Sequence, residues 1–88
     1  MSTRVTMYAT GYCPYCLMAE RLLEDKGVEI DKIRVDLEPQ RRVEMMERTR
    51  RRTVPQIYIG EVHVGGYDDL SALDRAGELD TLLARALK

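Results

Sequence analysis

Cys13-Pro14-Tyr15-Cys16 restricts this chain more than any other stretch, because on a helix residues three apart share a face and their two sulfurs can meet. The flanking pattern predicts that helix. Arg4 to Ala9 alternates in part and is rich in Val, Thr and Tyr, as a short strand is, and Thr10-Gly11-Tyr12 is a loop. Pro14 fits a first helical position, where its missing N–H is one the helix leaves unpaired. From Pro14 to Lys26 the apolar residues Leu17, Met18, Leu22 and Leu23 recur at helical spacing, and Gly27 ends the segment. Val28 to Val35 is a second strand, whose charges at Asp31, Lys32 and Arg34 suit an exposed face or a sheet edge. Strand, helix and strand form a βαβ unit, so the strands are parallel with a right-handed crossover.

Asp36 to Pro39 is a turn. A polar helix runs from Pro39 to about Arg50, with Val43, Met45 and Met46 as its buried contacts. Gln56 to Ile59 and Val62 to Val64 are short strands around Gly60-Glu61, a hairpin by loop length and turn chemistry. Gly65-Gly66 ends the hairpin and Tyr67 to Ala76 is a helix. After Gly77, Leu79 to Leu87 is an amphipathic helix that turns Leu79, Leu82, Leu83 and Leu87 inward. The order βαβ, α, ββ, αα implies an α/β fold, one mixed sheet with helices on both faces. Eighty-eight residues without repeats or linkers are expected to form one domain, 1–88.

A formal net charge of −1 gives no drive toward nucleic acid or anionic membrane. No apolar run is long enough for a signal peptide or a membrane span. Both cysteines lie in one C-x-x-C, so they are not a framework stapling a secreted fold; a cytoplasmic working dithiol is expected.

A C-x-x-C has three readings. A structural zinc site needs four ligands, and beyond the cysteines the only soft candidate is His63, far along the chain. Two thiols could simply be buried, but a strand-to-helix junction is a poor place to hide them. Redox exchange suits the context, because unpaired N–H groups and the positive end of the helix dipole face Cys13 and favour thiolate. A drop from about 8.5 to about 5 would raise the thiolate population roughly thirty-fold, while nucleophilicity falls by a similar factor. The advantage is that such a thiolate leaves quickly when an outside thiol attacks a disulfide made to it. Cys16, deeper in the helix, is expected to keep an ordinary pKa and to act as the resolving thiol.

Thr53-Val54-Pro55 opens the third strand, where proline is tolerated. If Val54–Pro55 were cis, the backbone groups of Val54 would face outward to pair with an extended substrate. Gly65-Gly66-Tyr67-Asp68-Asp69 is a turn into a helix start, whose N–H groups suit a carboxylate. Asp68 there serves either an ammonium or ordinary N-capping. The arginines at 41, 42, 48, 50, 51 and 52 form either a solvated face or a source of one or two cations for an anionic group. Tyr8 is expected in the core, Met45 and Met46 as core filler, and His63 on the exposed face of the hairpin. Tyr12 and Tyr15 flank the cysteines.

Cys13-Pro14-Tyr15-Cys16, Thr53-Val54-Pro55-Gln56-Ile57-Tyr58-Ile59 and Gly65-Gly66-Tyr67-Asp68-Asp69-Leu70 together resemble a dithiol glutaredoxin of the small bacterial kind. The resemblance covers nearly the whole chain. It implies the thioredoxin fold with a four-stranded sheet, a cis Val54–Pro55 bond, catalytic Cys13 and Cys16, and glutathione as co-substrate with no tightly bound cofactor or metal. It further implies that Tyr15 flanks the glutathione, that Thr53, Val54 and Pro55 line its cysteinyl part, and that Gly66, Tyr67 and Asp68 receive its γ-glutamyl end. Arg42 falls where the family places a Gln or Arg for the glycyl carboxylate. Implied partners are glutathione and disulfide-bearing or glutathionylated proteins such as ribonucleotide reductase, acting on a monomer, with no nucleic acid or membrane.

Two positions depart from the pattern. Thr10 stands where many members carry Lys, which removes a cation near the thiolate. Arg50 stands where the family often has Gly, so the second helix is expected to end differently, with Arg50 or Arg51 free to supply the missing charge. Other readings of the whole chain are a thioredoxin-like dithiol protein recycled by a flavoenzyme and an iron–sulfur carrier. Pro14 disfavours the carrier, since cluster binding in the family usually goes with a small residue there. A protein-interaction module with a vestigial site is the non-catalytic alternative.

Overall fold

A computed structural model of the chain describes residues 5–86. The expected strand start at Arg4 and the inward Leu87 lie outside the described residues. The elements run β1 (Val5–Ala9), α1 (Pro14–Asp25), β2 (Ile30–Arg34), α2 (Pro39–Thr49), β3 (Gln56–Ile59), β4 (Val62–Gly65), α3 (Tyr67–Arg75) and α4 (Glu78–Ala86). The sheet is four-stranded in the order β2-β1-β3-β4. β1 pairs parallel with β2 and antiparallel with β3, and β3 pairs antiparallel with β4. This is the thioredoxin fold, and β2, with its exposed Asp31 and Lys32, is an edge strand.

The alternation of a strand's side chains divides the core in two. Val5, Met7 and Ala9 of β1, with Ile57 and Ile59 of β3, pack with Ala19 and Leu23 of α1, Leu70 of α3, and Leu79 and Leu83 of α4. Tyr8 faces the other way and packs with Ile33, Val35 and Met45, the last from α2. Helices therefore cover both faces.

Two helices differ from expectation. The buried stripe of α1 is Cys16, Ala19 and Leu23, while Leu17 and Met18 are half-exposed. On α2, Met45 and Thr49 are buried and Val43 is half-exposed, because a four-residue step from 45 sets the inward face. The end of α2 is also a correction. Arg50 adopts the left-handed conformation (φ 61°, ψ 21°), and its N–H donates to the Met46 carbonyl at 2.9 Å, so an arginine closes this helix in the geometry a glycine would adopt.

Candidate active site

The first turn of α1 is built on a sulfur. Cys13 is the N-cap residue with extended backbone (φ −103°, ψ 110°), and its Sγ accepts the Cys16 N–H at 3.2 Å. Its carbonyl accepts the Leu17 N–H at 3.1 Å. The side chain thus does for an orphan helix N–H what Ser or Asp does at other N-caps. It also meets the opposite wall, where the thiol of Cys13 reaches the Val54 carbonyl oxygen at 3.6 Å. Both cysteines are free thiols, Cys13 partly exposed and Cys16 buried.

Cys16 does not keep an ordinary pKa. Its place on the buried stripe of α1 pushes the thiol up to about 12, chiefly because burial penalises the anion and secondly through its hydrogen bond with Cys13. The N–H of Thr10 on the sulfur opposes this without cancelling it. Depth in the helix matters less here than which face of the helix carries the sulfur.

An open groove of about 340 Å³ lies beside Cys13, lined by Tyr15, Arg51, Thr53, Val54, Pro55, Gly66, Tyr67, Asp68 and Asp69. The Val54–Pro55 peptide in its wall is cis. The rings of Tyr15 and Tyr67 approach to 6.4 Å between centroids. Every glutathione-site residue implied by the resemblance lines this groove except Arg42, which is exposed on α2 and outside it. Both cysteines instead line a second cavity of about 410 Å³, with Gly11, Tyr12, Leu17, Lys32 and Arg34 among its walls. Its cations are paired, Lys32 with Glu20 at 2.9 Å and Arg34 with Asp36 at 2.7 Å. Asp36 also accepts the Gly11 N–H at 3.2 Å, tying the loop before Cys13 to the end of β2, and Arg34 holds that carboxyl well below the usual carboxylate range.

The sequence offered Arg51 only as one of several candidate cations and did not single out Asp69, its partner at the groove. The Asp69 carboxylate accepts the Gly66 N–H at 3.0 Å and a hydrogen bond from Arg51 Nη1 at 3.1 Å. These two contacts, the backbone one first, lower its pKa. Asp69, not Asp68, therefore closes the start of α3, and Asp68 is left exposed at the groove. The signal was present in the spacing, since an acid three residues after the N-cap reaches back to the cap N–H.

Gly65 makes this closure possible. It has φ 112°, and a Cβ there would lie 2.3 Å from Asp69 Oδ2, 2.9 Å from Asp69 Cγ and 3.1 Å from Arg51 Nη1. Gly65→Ala is expected to destabilise the fold by about 2–4 kcal/mol, combining backbone strain with a lost cap. A urea unfolding midpoint unchanged from wild type would contradict this.

The glutaredoxin family model matches residues 5–64. The chain belongs to the glutaredoxin family. Glutaredoxin of Pseudomonas aeruginosa is 52% identical over 80 residues, covering 91% of this chain and 95% of that protein. The solution structure of glutaredoxin from Brucella melitensis superposes with a TM-score of 0.81 at 50% identity, over 93% of this chain and 89% of that one. The crystal structure of a buckwheat glutaredoxin–glutathione complex gives a TM-score of 0.89 at 28% identity, over 96% of this chain and 79% of that one. Membership makes the chain a thiol–disulfide oxidoreductase. No helix among the described residues is long and apolar enough to cross a membrane.

Proposed function

We propose that this family member uses glutathione to reduce glutathione mixed disulfides and protein disulfides through Cys13 and Cys16. The observation that carries the proposal is the placement of Cys13. Its sulfur sits 3.6 Å from the carbonyl oxygen of Val54, whose residue lines the groove that also contains the α3 N-terminus. An extended cysteinyl peptide in that groove would bring its sulfur to Cys13 while a carboxylate met the N–H groups of Tyr67 and Asp68, which the first turn of α3 leaves without a helical partner. The buckwheat protein's complex with glutathione supports the same ligand here.

The Cys13 thiolate attacks the glutathionyl sulfur of a mixed disulfide. A Cys13–glutathione bond forms, and the substrate sulfur leaves as a thiolate. A second glutathione thiolate attacks the same glutathionyl sulfur, forming glutathione disulfide and returning Cys13 as thiolate. With a protein disulfide, Cys13 forms a mixed disulfide and Cys16 then attacks Cys13. The 13–16 bridge closes, the second protein thiol departs, and two glutathiones re-reduce the bridge. We assign this work to a cytoplasmic monomer, with reductases such as ribonucleotide reductase among its protein partners.

Turnover of a glutathione mixed disulfide, coupled either to glutathione and its reductase or to thioredoxin reductase, tests the proposal. Activity only with thioredoxin reductase would overturn it. Within the groove, Arg51 is the cation placed to meet a glutathione carboxylate. Arg51→Gln is expected to raise the KM for glutathione about five-fold, roughly one charge-assisted contact at a half-exposed site. Arg42→Gln should change it less, and the reverse order would return the carboxylate to Arg42.

A further inference from the structure

Gln56 is fully buried at the start of β3, and a buried carboxamide needs partners at both ends. Its Nε2 donates to the Thr53 carbonyl oxygen at 2.9 Å and reaches Thr53 Oγ1 at 3.2 Å. A carbonyl can only accept, so the amide nitrogen must face Thr53 and Oε1 must face the other way. There it meets Nε2 of His63 at 2.8 Å. Oε1 can only accept, so this ring nitrogen carries the proton.

His63 is not on an exposed face of the hairpin, as its sequence neighbours suggest. It is half-buried opposite Tyr58 in the β3–β4 ladder, with the two rings stacked at 5.0 Å and 26°. The Arg48 guanidinium also lies over the Tyr58 ring, 4.0 Å from its centroid. The imidazole is therefore fixed by a stack and by a hydrogen bond. The far end of that hydrogen-bonded chain is Thr53, next to the Val54 whose carbonyl faces Cys13. Thr53 itself lies between α2 and β3, outside any helix or strand, so side-chain anchors must fix its backbone.

We infer that His63, acting through Gln56, sets the position of the Thr53–Val54 wall and so the affinity of the groove for the glutathionyl group. It is a positioning residue, since it touches neither the substrate groove nor the sulfurs. The inference rests on the glutathione reading above and adds a determinant on β4, remote from the cysteines.

His63→Phe keeps a ring to stack on Tyr58 and removes only the donor. It is expected to raise the KM for a glutathione mixed disulfide about five-fold, with kcat within about two-fold, as loss of one hydrogen bond's ordering would. In the free protein the backbone amide resonances of Thr53 and Val54 should move. His63→Gln, which restores an N–H at similar reach, should return both readouts toward wild type. If His63→Phe fails to fold, the pair Gln56→Leu with His63→Phe also removes the buried carboxamide, leaving only the acceptors of exposed Thr53 to solvent, and should fold with KM still raised. A wild-type KM in either protein, or a His63→Gln as impaired as His63→Phe, overturns the inference. If wild-type protein does not turn over the mixed disulfide, the glutathione reading falls. The inference then stands or falls on whether the Thr53 and Val54 resonances move in His63→Phe and return in His63→Gln.

Discussion

Cys13→Ser should lose reduction of both glutathione mixed disulfides and protein disulfides, by on the order of a thousand-fold or more, since a neutral hydroxyl replaces the only accessible sulfur nucleophile. Cys16→Ser should behave differently. It removes the resolving sulfur but leaves the Cys16 backbone N–H that donates to Cys13 Sγ at 3.2 Å, because that bond needs no side chain at position 16. Deglutathionylation should therefore survive in Cys16→Ser, while the dithiol route to protein disulfides is lost. Steady-state assays on a glutathione mixed disulfide and on a protein disulfide separate the two. A Cys13→Ser protein that retained full activity on the glutathione mixed disulfide would remove Cys13 from the nucleophile's place.

The frame of the fold was legible because its signals are local. Pro14 and Gly27 bracket α1, Gly60-Glu61 turns the hairpin, and the charges of β2 mark an edge. What was not legible depends on facing and contact. The apolar bulk of Leu17 and Met18 points to the wrong stripe of α1, because the side that packs on the sheet carries the smaller Cys16 and Ala19. Six arginines between 41 and 52 look alike in sequence, and only the path of the chain after α2 puts Arg51 against Asp69 and leaves Arg42 outside the groove. His63 reads as a surface residue until β4 lies against β3 and supplies both the Tyr58 ring and the Gln56 carboxamide. Arg50 reads as a departure from a glycine position, yet its N–H closes α2 on Met46 and the residue takes up the left-handed conformation itself. Short-range chemistry specified the elements, and the choice among chemically similar side chains came from tertiary packing.

The burial of Cys16 sets the pH dependence of the dithiol route. Its thiol is pushed up to about 12, mainly by burial, so at neutral pH the attacking thiolate is a very small minority of the population. Burial disfavours the anion, so each unit of rising pH below that value multiplies the thiolate about tenfold, and the resolving rate should follow with a slope near +1 in log k. The rate can be read by loading Cys13 with thionitrobenzoate, whose charge is constant over this range. Release of the coloured thiol is then followed in a single turnover from pH 6 to 9. Cys16→Ser should show no intramolecular release at any of these pH values, which isolates the Cys16 contribution. The hydrogen bond between the two cysteines must change once Cys13 is in a disulfide, but it is the second cause of the shift and the burial of Cys16 is the first, so the slope should persist. A flat profile in wild-type protein would mean that Cys16 sheds its proton before the chemistry, and that its place on the buried stripe of α1 does not govern the dithiol route.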